Sequence, residues 1–269
     1  MRSKDGRTTK DGIRIYQDAD FAGMHVAGRL AAQILDDIAP HVFPGQTTGE
    51  IDRLITNMVD EAGAKSATIG YKGYQHASCI SVNHVVCHGI PGDKKLKDGD
   101  ILNIDVTVIV DGWFGDTSRM FVAGKLPRKA ERLIQVTHDS LMKGIEAVKP
   151  GNTFGDIGHA IQSYAESQRM SVVRDFCGHG LGLVFHAPPN VLHYGRPGTG
   201  PKLEEGMFFT IEPMINLGRP ETKILADEWT AVTRDKSLSA QFEHSIGVTS
   251  DGCEIFTLSP GGLFHPTYS

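Results

Sequence analysis

The chain of 269 residues carries 27 lysines and arginines against 32 aspartates and glutamates, which gives a formal net charge of -5 at pH 7. An acidic chain without a basic stripe is a poor candidate for nucleic-acid binding, so a nucleic-acid substrate is not expected. No apolar run approaches the roughly 20 residues that span a bilayer, and residues 1–20 lack the apolar segment of a signal peptide. A cytoplasmic protein without membrane contact is therefore predicted.

The length suits one large domain, or two closely fused halves, with a sizeable buried core. No linker-like or low-complexity segment interrupts residues 1–269, so a single domain is predicted, with residues 1–17 as a short N-terminal extension. The four cysteines show no C-x-x-C spacing, which argues against a disulfide framework or a thiolate zinc site.

Two helices are predicted near the N-terminus. Val26, Leu30, Ile34 and Ile38 recur every four residues and indicate a helix that ends near Pro40. In the segment "TTGEIDRLITNMVDEAG", a threonine followed three residues later by glutamate forms a capping box, which predicts the start of the second helix.

The stretch "NIDVTVIVDGWFGDTSRMF", residues 103–121, reads as a β-hairpin turned by Asp111-Gly112, yet it carries a carboxylate in each arm. A two-residue turn sets Thr107 opposite Asp116 and places Asp105 on the same face. The two carboxylates then lie diagonally, within roughly 7–8 Å between Cα atoms. Like charges at that distance repel, so either a cation lies between them or the hairpin edge is solvated.

After a further helix that ends at Pro150, the order of elements starts again. "PGQTTGEID" from Pro44 resembles "PGNTFGDIG" from Pro150, and "LKDGDILNID" resembles "LEEGMFFTIE" 107 residues later, which aligns Asp105 with Glu212. "CHGIPG" and "FHAPPN" form a looser third pair. We predict an internal duplication of about residues 18–122 and 128–250, and an α+β fold of two βαβ-like halves related by a pseudo-twofold axis.

Further candidate ligands follow in the second half. His179 lies among three glycines in "DFCGHGLGLVFHAPPN", whose spacing fits neither a phosphate loop nor a dinucleotide turn. Glu212 ends the apolar run "MFFTIEP", and Glu243 lies in the strand-like "QFEHSIGVT". Four carboxylates and one imidazole suit a dinuclear metal centre with Mn²⁺, Fe²⁺ or Co²⁺. Other hydrolytic motifs, G-x-S-x-G and H-E-x-x-H, are absent from the sequence.

In this order, the motifs resemble those of the type I, bacterial-type methionine aminopeptidases. The resemblance covers nearly the whole chain and is carried by "SCISVNHVVCHGIPGDKKLKDGDILNIDVTVIVDGWFGDTSRMF", "GHGLGLVFHAPPNV", "GMFFTIEPMI" and "TAVTRDKSLSAQFEHSIGVT". It implies the pita-bread fold, in which two pseudo-twofold-related halves have an antiparallel β-sheet centre flanked by helices.

The resemblance also implies roles for individual residues. The residues matching the family's ligands to two divalent metal ions are Asp105, Asp116, His179, Glu212 and Glu243. The residues matching its catalytic groups are His88, His186 and Glu212. The residues matching its methionine pocket, which His88 and His186 also border, are Tyr71, Tyr74, Cys79, Phe185 and Trp229. The residues matching a monovalent-cation site are Asn83, Val85 and Ser239.

The implied activity is removal of the initiator methionine from nascent or newly made proteins, with a small second residue preferred. Expected partners are N-terminal methionine peptides and, transiently, the ribosome, and the implied oligomeric state is a monomer. Two alternatives stay open at this point: a prolidase-like enzyme that cleaves beside proline, and a non-catalytic binding module of the same fold. The second would be expected to lose ligands, and all five are present.

Overall fold

The computed structural model describes residues 7–266, so residues 1–6 of the predicted N-terminal extension lie outside it. The rest of that extension folds back through a bridge between Thr8 and Arg14 and buries Ile13 in a hydrophobic core. These residues therefore form part of the fold.

The first half opens with two helices, α1 (Asp18–Ile38) and α2 (Thr48–Glu61). α2 begins at the predicted capping box, in which the Thr47 hydroxyl accepts a hydrogen bond from the Glu50 amide and the Glu50 carboxylate accepts one from the Thr47 amide. Each of the two bonds satisfies an amide that the helix itself leaves unpaired.

The buried face of α1 differs in part from the predicted one. Val26 is 57% exposed, whereas Met24, Ala27 and Ala31 are fully buried. Close packing explains the difference, because a side chain at Gly115 would collide with the Ala27 carbonyl. Ile34 and Ile38 are buried as predicted, so the packed face of α1 combines the C-terminal part of the four-residue repeat with small residues nearer its start.

Five strands follow: β1 (Lys65–Ser66), β2 (Ser78–Val82), β3 (Val85–Cys87), β4 (Asp100–Val110) and β5 (Trp113–Ala123). β4 lies at the centre of a sheet, with β1, β2 and β5 as antiparallel neighbours. Asp111 and Gly112 have φ angles of 50° and 87°, which suit a tight hairpin turn, and the register pairs Thr107 with Asp116. The predicted hairpin and its register are confirmed.

The second half opens with helices α3 (Arg128–Glu146) and α4 (Phe154–Ser167). Its strands are β6 (Ser171–Val172), β7 (Gly178–Gly180), β8 (Ala187–Val191), β9 (Phe208–Ile211), β10 (Met214–Asn216), β11 (Thr222–Ile224), β12 (Ala231–Thr233), β13 (Ser239–Gln241), β14 (His244–Val248) and β15 (Cys253–Ile255). Together with β3 of the first half, these strands form three sheets, in the orders β15-β14-β9-β7-β8, β13-β10-β6 and β11-β12-β3.

The expectation of βαβ-like halves is wrong. Every strand pair of the described residues is antiparallel. Parallel pairing needs a crossover, usually a helix, between the paired strands. Here the two long helices of each half precede its strands, so no α-helix lies between strands that pair within a half.

The halves share several local features. Thr47 before α2 and Thr153 before α4 each open a capping box, and each also forms a bridge to a lysine, Lys95 or Lys202. One hydrophobic core packs α1 and α2 against β2 and β4, and another packs α3 and α4 against β9 and β14. We propose, on these grounds, that the halves arose by duplication.

Contacts between the halves join β4 and β5 to β13 and β14, and β3 to β12. The Asn103 amide group donates to the Gln241 carbonyl oxygen over 2.8 Å, and Ser118 forms an isolated bridge with Glu243. In this way the two halves meet beside the predicted ligands. Among residues 7–266, no helix combines the length and apolarity needed to cross a membrane.

Candidate metal centre

The hairpin of the first half supplies two of the predicted ligands. Asp105 and Asp116 lie diagonally across β4 and β5, and the Thr107 hydroxyl donates to Asp116 Oδ1 over 2.7 Å. Asp116 is 4% exposed, so it is held inside the protein rather than at a solvated edge. The burial of Asp116 therefore favours a cation between the two carboxylates over a solvated hairpin edge.

Three of the predicted ligands come together from distant parts of the chain. Ligand atoms of Asp116, His179 and Glu243 all lie within 4.8 Å of one another. His179 Nε2 is 3.5 Å from Asp116 Oδ2 and 3.7 Å from Glu212 Oε1. Asp105 lines the same cleft, so the fold places all five predicted ligands at one site.

The orientation of His179 leaves one ring nitrogen free to act as a ligand. Its Nδ1 lies 3.2 Å from the Gly180 carbonyl oxygen, a partner that fixes the proton on Nδ1 and leaves Nε2 facing the carboxylates. Burial acts against the charged ring, but the Asp116 and Glu212 carboxylates raise the pKa of His179. A metal cation bound to Nε2 would take the place of the proton that these two carboxylates attract to the ring.

The carboxylate cluster fits divalent cations. Asp105 Oδ1 is buried and, within residues 7–266, has no hydrogen-bond partner. Desolvation, followed by repulsion from neighbouring carboxylates, raises the pKa of both Asp105 and Glu243 well above the usual range. Ionised carboxylates in this position need a compensating positive charge, and four oxygen donors with one imidazole suit divalent metals of the first transition row.

Glu212 is held by groups from three segments. Its Oε1 accepts from the Thr210 hydroxyl over 2.9 Å, its Oε2 accepts from the Gln241 amide over 3.2 Å, and its backbone amide donates to His193 Nε2 over 3.1 Å. Desolvation raises the pKa of Glu212 to about 7, although the His179 ring acts in the opposite direction. The carboxyl group can therefore take up and release a proton near neutral pH.

The two other predicted catalytic histidines line the same cleft. The ring centroids of His186 and His179 are 4.1 Å apart, and His88 has a left-handed backbone with φ of 55°. Desolvation in the cleft lowers the pKa of His186 to about 4 and also lowers the pKa of His88. Both rings are thus neutral at pH 7 and can each donate one hydrogen bond.

The predicted methionine pocket forms one wall of a cleft of about 820 Å³. The predicted pocket residues that line it are Tyr71, Tyr74, Cys79, Phe185 and Trp229. The rings of Tyr74 and Trp229 lie 4.9 Å apart, and those of Tyr71 and Phe185 lie 5.0 Å apart. Burial raises the pKa of the Cys79 thiol, so it stays protonated. The wall is aromatic and uncharged.

The predicted monovalent-cation residues lie apart from this cleft. The Ser239 amide donates to the Asn83 carbonyl oxygen over 2.9 Å, and Val85 begins β3 two residues later. The Ser239 hydroxyl is buried and, within residues 7–266, has no hydrogen-bond partner. The assignment of a cation to these residues remains a prediction.

Some residues of the site were not predicted. Thr210 and Gln241 each precede a predicted carboxylate ligand by two positions, so the period of a β-strand places them on the same face. That pattern could have identified both. His193 and Lys72 carry no such signal, because only the tertiary fold brings them to Glu212 and to the cleft.

Comparison with known proteins places these features in a family. Residues 22–250 match the model of metallopeptidase family M24. The chain is 59% identical over 257 residues to the methionine aminopeptidase of Rickettsia prowazekii, a match that covers 95% of this chain and 99% of that one. The crystal structure of methionine aminopeptidase from Rickettsia prowazekii superposes with a TM-score of 0.91 at 60% identity, covering 91% of this chain and 100% of the other.

A prolidase from Pyrococcus furiosus has the same fold at a greater distance, with a TM-score of 0.74, 20% identity, and coverage of 91% of this chain and 65% of the prolidase. That likeness concerns the fold alone and does not favour the prolidase alternative. The predicted pita-bread fold and the predicted class of enzyme, a metal-dependent aminopeptidase, are confirmed. The chain belongs to metallopeptidase family M24, among its methionine aminopeptidases of the bacterial type.

Proposed function

We propose that this chain removes the initiator methionine from newly made proteins and peptides. The observation that carries the proposal is the convergence of Asp116, His179 and Glu243, with ligand atoms within 4.8 Å, beside an aromatic pocket in one cleft. The name of the relative from Rickettsia prowazekii, at 59% identity, points to the same activity.

The five predicted ligands would hold two divalent cations, with Co²⁺, Mn²⁺ and Fe²⁺ preferred and Zn²⁺ as a further option. The proposed ligands are Asp105, Asp116, His179, Glu212 and Glu243. When bound, the cations would supply Lewis acidity toward the scissile carbonyl group and lower the pKa of the attacking water. A monovalent cation at Asn83, Val85 and Ser239 would be a third, structural ion.

Glu212 would move the proton. One of its carboxylate oxygens would accept a proton from the attacking water and later deliver it to the leaving amine, and burial, which raises the pKa of Glu212 in the metal-free protein, favours this uptake. Thr210 and Gln241 each hold one of its two oxygens by a hydrogen bond, which keeps the carboxylate in one orientation through both transfers.

His88 and His186 would position the peptide. Since both rings are neutral at pH 7, each can donate an N–H group to the scissile amide or to the carbonyl oxygen that becomes negative during attack. The ring of His186 packs against Tyr71 with centroids 5.1 Å apart, which limits its rotation.

The methionine side chain would lie against Tyr74, Cys79 and Trp229. Aromatic rings and a protonated thiol form a polarizable surface without charge, which suits a thioether. A preference for a small second residue, action on nascent chains with transient contact to the ribosome, a monomeric state and a cytoplasmic location complete the proposal.

The first test is a side-by-side assay of Met-Ala-Ser and Ala-Pro-Ser peptides. We expect free methionine from the first peptide and no cleavage of the second. Glu212→Gln should lower kcat by a factor on the order of 10³, because general acid–base catalysis typically contributes 10²–10⁴-fold. Glu205→Gln, which changes an exposed glutamate outside the cleft, is the matched control and should behave as the parent.

Cleavage of the proline peptide instead would identify a prolidase-like enzyme, and no cleavage of either peptide by metal-loaded protein would leave a binding module. Dialysis against a chelator should abolish methionine release, and Mn²⁺ or Co²⁺ should restore it. Full activity after chelation would contradict the proposed metal centre.

A further inference from the structure

One positively charged side chain lines the cleft, among the described residues, without a role in the proposed reaction. Lys72 is the only lysine or arginine among the described residues that line it. The other charged groups there are the carboxylate ligands, Asp11 and Asp175, and the last accepts a hydrogen bond from the Thr222 hydroxyl over 2.6 Å. With two dications bound, four carboxylate ligands are neutralised, so Lys72 provides the positive charge that a substrate would meet.

The backbone holds Lys72 in an uncommon conformation. Its φ and ψ are 46° and 32°, a left-handed geometry that costs a residue other than glycine some free energy. Gly70 and Gly73 on either side have φ of 85° and 86°. This turn directs the residue toward the cleft rather than along a strand or helix.

The side chain lies over the ring that supports His186. Lys72 Nζ is 5.4 Å from the Tyr71 ring centroid, and the Tyr71 ring stacks on His186 at 5.1 Å with an interplanar angle of 24°. Desolvation lowers the pKa of both His88 and His186, and the charge of Lys72 lowers each of them further. The ammonium group is therefore near both histidines that would contact the peptide.

Lys72 has no carboxylate partner within the described part of the chain. No carboxylate oxygen of residues 7–266 lies within 4.0 Å of its Nζ, and the residue is exposed to solvent. A ligand could thus pair with it without first breaking an ion pair.

We infer that Lys72 is a specificity-determining residue that binds a carboxylate of the peptide on the C-terminal side of the scissile bond. This inference rests on the proposed function. The first residue of an aminopeptidase substrate is its N-terminus, so no part of the peptide extends in the other direction. The wall formed by Tyr74 and Trp229 would bind the first side chain. Only the segment after the scissile bond, which leaves the cleft past His186, can therefore reach Lys72.

Two sources of that carboxylate share the same chemistry: an acidic side chain shortly after the second residue, and the terminal carboxylate of a short peptide. The chain should therefore cleave peptides of the form Met-Ala-Glu faster than matched peptides with lysine at the third position. We expect a difference of about 3- to 10-fold in kcat/KM, mostly in KM, which is the scale for a partly solvated ion pair.

The experiment compares Met-Ala-Glu-Ser, Met-Ala-Gln-Ser and Met-Ala-Lys-Ser as C-terminal amides, with Met-Ala-Ser as free acid and as amide. The proteins are the metal-loaded parent, Lys72→Met, which keeps an unbranched apolar stem over Tyr71, and Lys72→Glu. Lys129→Glu, at an exposed position of α3, makes the same charge change away from the cleft and is the matched control.

The readout is the ratio of kcat/KM between the glutamate and lysine peptides, each measured against the glutamine peptide. We expect the ratio to fall to near one in Lys72→Met, to invert in Lys72→Glu and to stay at the parent value in Lys129→Glu. The preference of the parent should also shrink as ionic strength rises. A faster free acid than amide, lost in Lys72→Met, would assign the terminal carboxylate as a second source.

The inference is overturned if Lys72→Glu keeps the ratio of the parent while cleaving the glutamine peptide. It is also overturned if the parent cleaves all three amides equally. Failure of the parent to cleave any methionine peptide would instead refute the proposed function, so the two failures are distinguishable.

Discussion

The two halves of the molecule deliver their carboxylates in different ways. In the first half, Asp105 and Asp116 lie within two continuous strands joined by a two-residue turn. In the second half, Glu212 and Glu243 lie where one short strand ends and the next begins, between β9 and β10 and between β13 and β14. The hairpin of β11 and β12 separates those two pairs of strands.

This difference gives the second half a longer connection between its two glutamates. The β11–β12 hairpin pairs with β3 of the other half, and Trp229, between its two strands, packs on Tyr74. The longer connection of the second half therefore forms a wall of the cleft that both glutamates line. The hairpin of the first half is turned by only two residues.

The largest effects should come from removing one carboxylate of each half. Asp105→Asn and Glu243→Gln should each lower peptidase activity by at least about 100-fold, because all four negative charges are needed to offset two dications. Both variants should also lose most of the rise in Tm that Mn²⁺ produces. Thermal unfolding with and without Mn²⁺ measures the second effect, and equal loss in both variants would show that the halves contribute alike.

Asp105→Asn and Glu243→Gln also compare the two halves in the metal-free protein. Because burial raises the folded-state pKa of Asp105 and Glu243, their contribution favours the fold at low pH and is lost as pH rises through that pKa. Each amide variant should therefore have a higher metal-free Tm than the parent at pH 8. A lower Tm would contradict the proposed repulsion.

A buried ion pair found in the first half gives the next largest effect. Arg119 of β5 pairs with Asp36 of α1, and both side chains are at most 6% exposed. Arg119→Met should lower the free energy of unfolding by about 3–5 kcal/mol, since it leaves a buried carboxylate without its charge partner. Urea denaturation measures this, and Arg29→Met on the exposed side of α1 is the control.

The double variant Asp36→Asn with Arg119→Met should recover part of that loss, because neither charge then stays buried alone. Asp36 also accepts hydrogen bonds from the Ser259 hydroxyl and the Gly261 amide, so the recovery should be incomplete. Equal stability of the single and double variants would argue against a charge effect.

A half-buried histidine of the second half should make stability depend on pH. Desolvation lowers the pKa of His244 to about 3, far below the unfolded value near 6.5. Between these values the unfolded chain binds the extra proton, so the stabilising contribution is full above pH 6.5 and is lost as pH falls. At pH 5 the loss should be roughly 2 kcal/mol.

Urea denaturation of metal-free protein at pH 7.5 and pH 5 tests this. The raised pKa values of the carboxylates have the opposite sign, so the informative quantity is the difference between the parent and His244→Gln. The parent should lose about 2 kcal/mol more than the variant on acidification. The exposed His159 of α4 is the control, and His159→Gln should match the parent.

The smallest effects should come from the helix caps that the halves share. Thr47→Ala and Thr153→Ala should each cost about 1 kcal/mol, since each removes the hydroxyl of a capping box. Chemical denaturation of both variants compares the halves directly. A cost in one half but not in the other would show that the two caps, though alike in sequence, differ in energy.

Local patterns in the sequence predicted much of the fold and identified the candidate ligands that the fold brings to one cleft. The Thr47 capping box and the Asp111-Gly112 turn depend on neighbouring residues, so both were predicted correctly. The face of α1 was predicted in part only, because Val26 follows the periodicity but lies away from the packed sheet. The βαβ-like description of the halves was wrong, whereas the antiparallel sheet that the family resemblance implied is confirmed, since strand pairing depends on which strands meet in space.

The sequence by itself determined which residues are chemically out of place: carboxylates such as Asp105 and Glu212 within apolar strands, and His179 among glycines. Only the tertiary structure decided their partners. Asn103 reaches the Gln241 carbonyl across 138 positions, and Lys72 comes to the cleft beside His186. The reason is physical: a carboxylate within an apolar strand can be recognised from its neighbours along the chain, whereas the group that faces it is set by how the two halves pack.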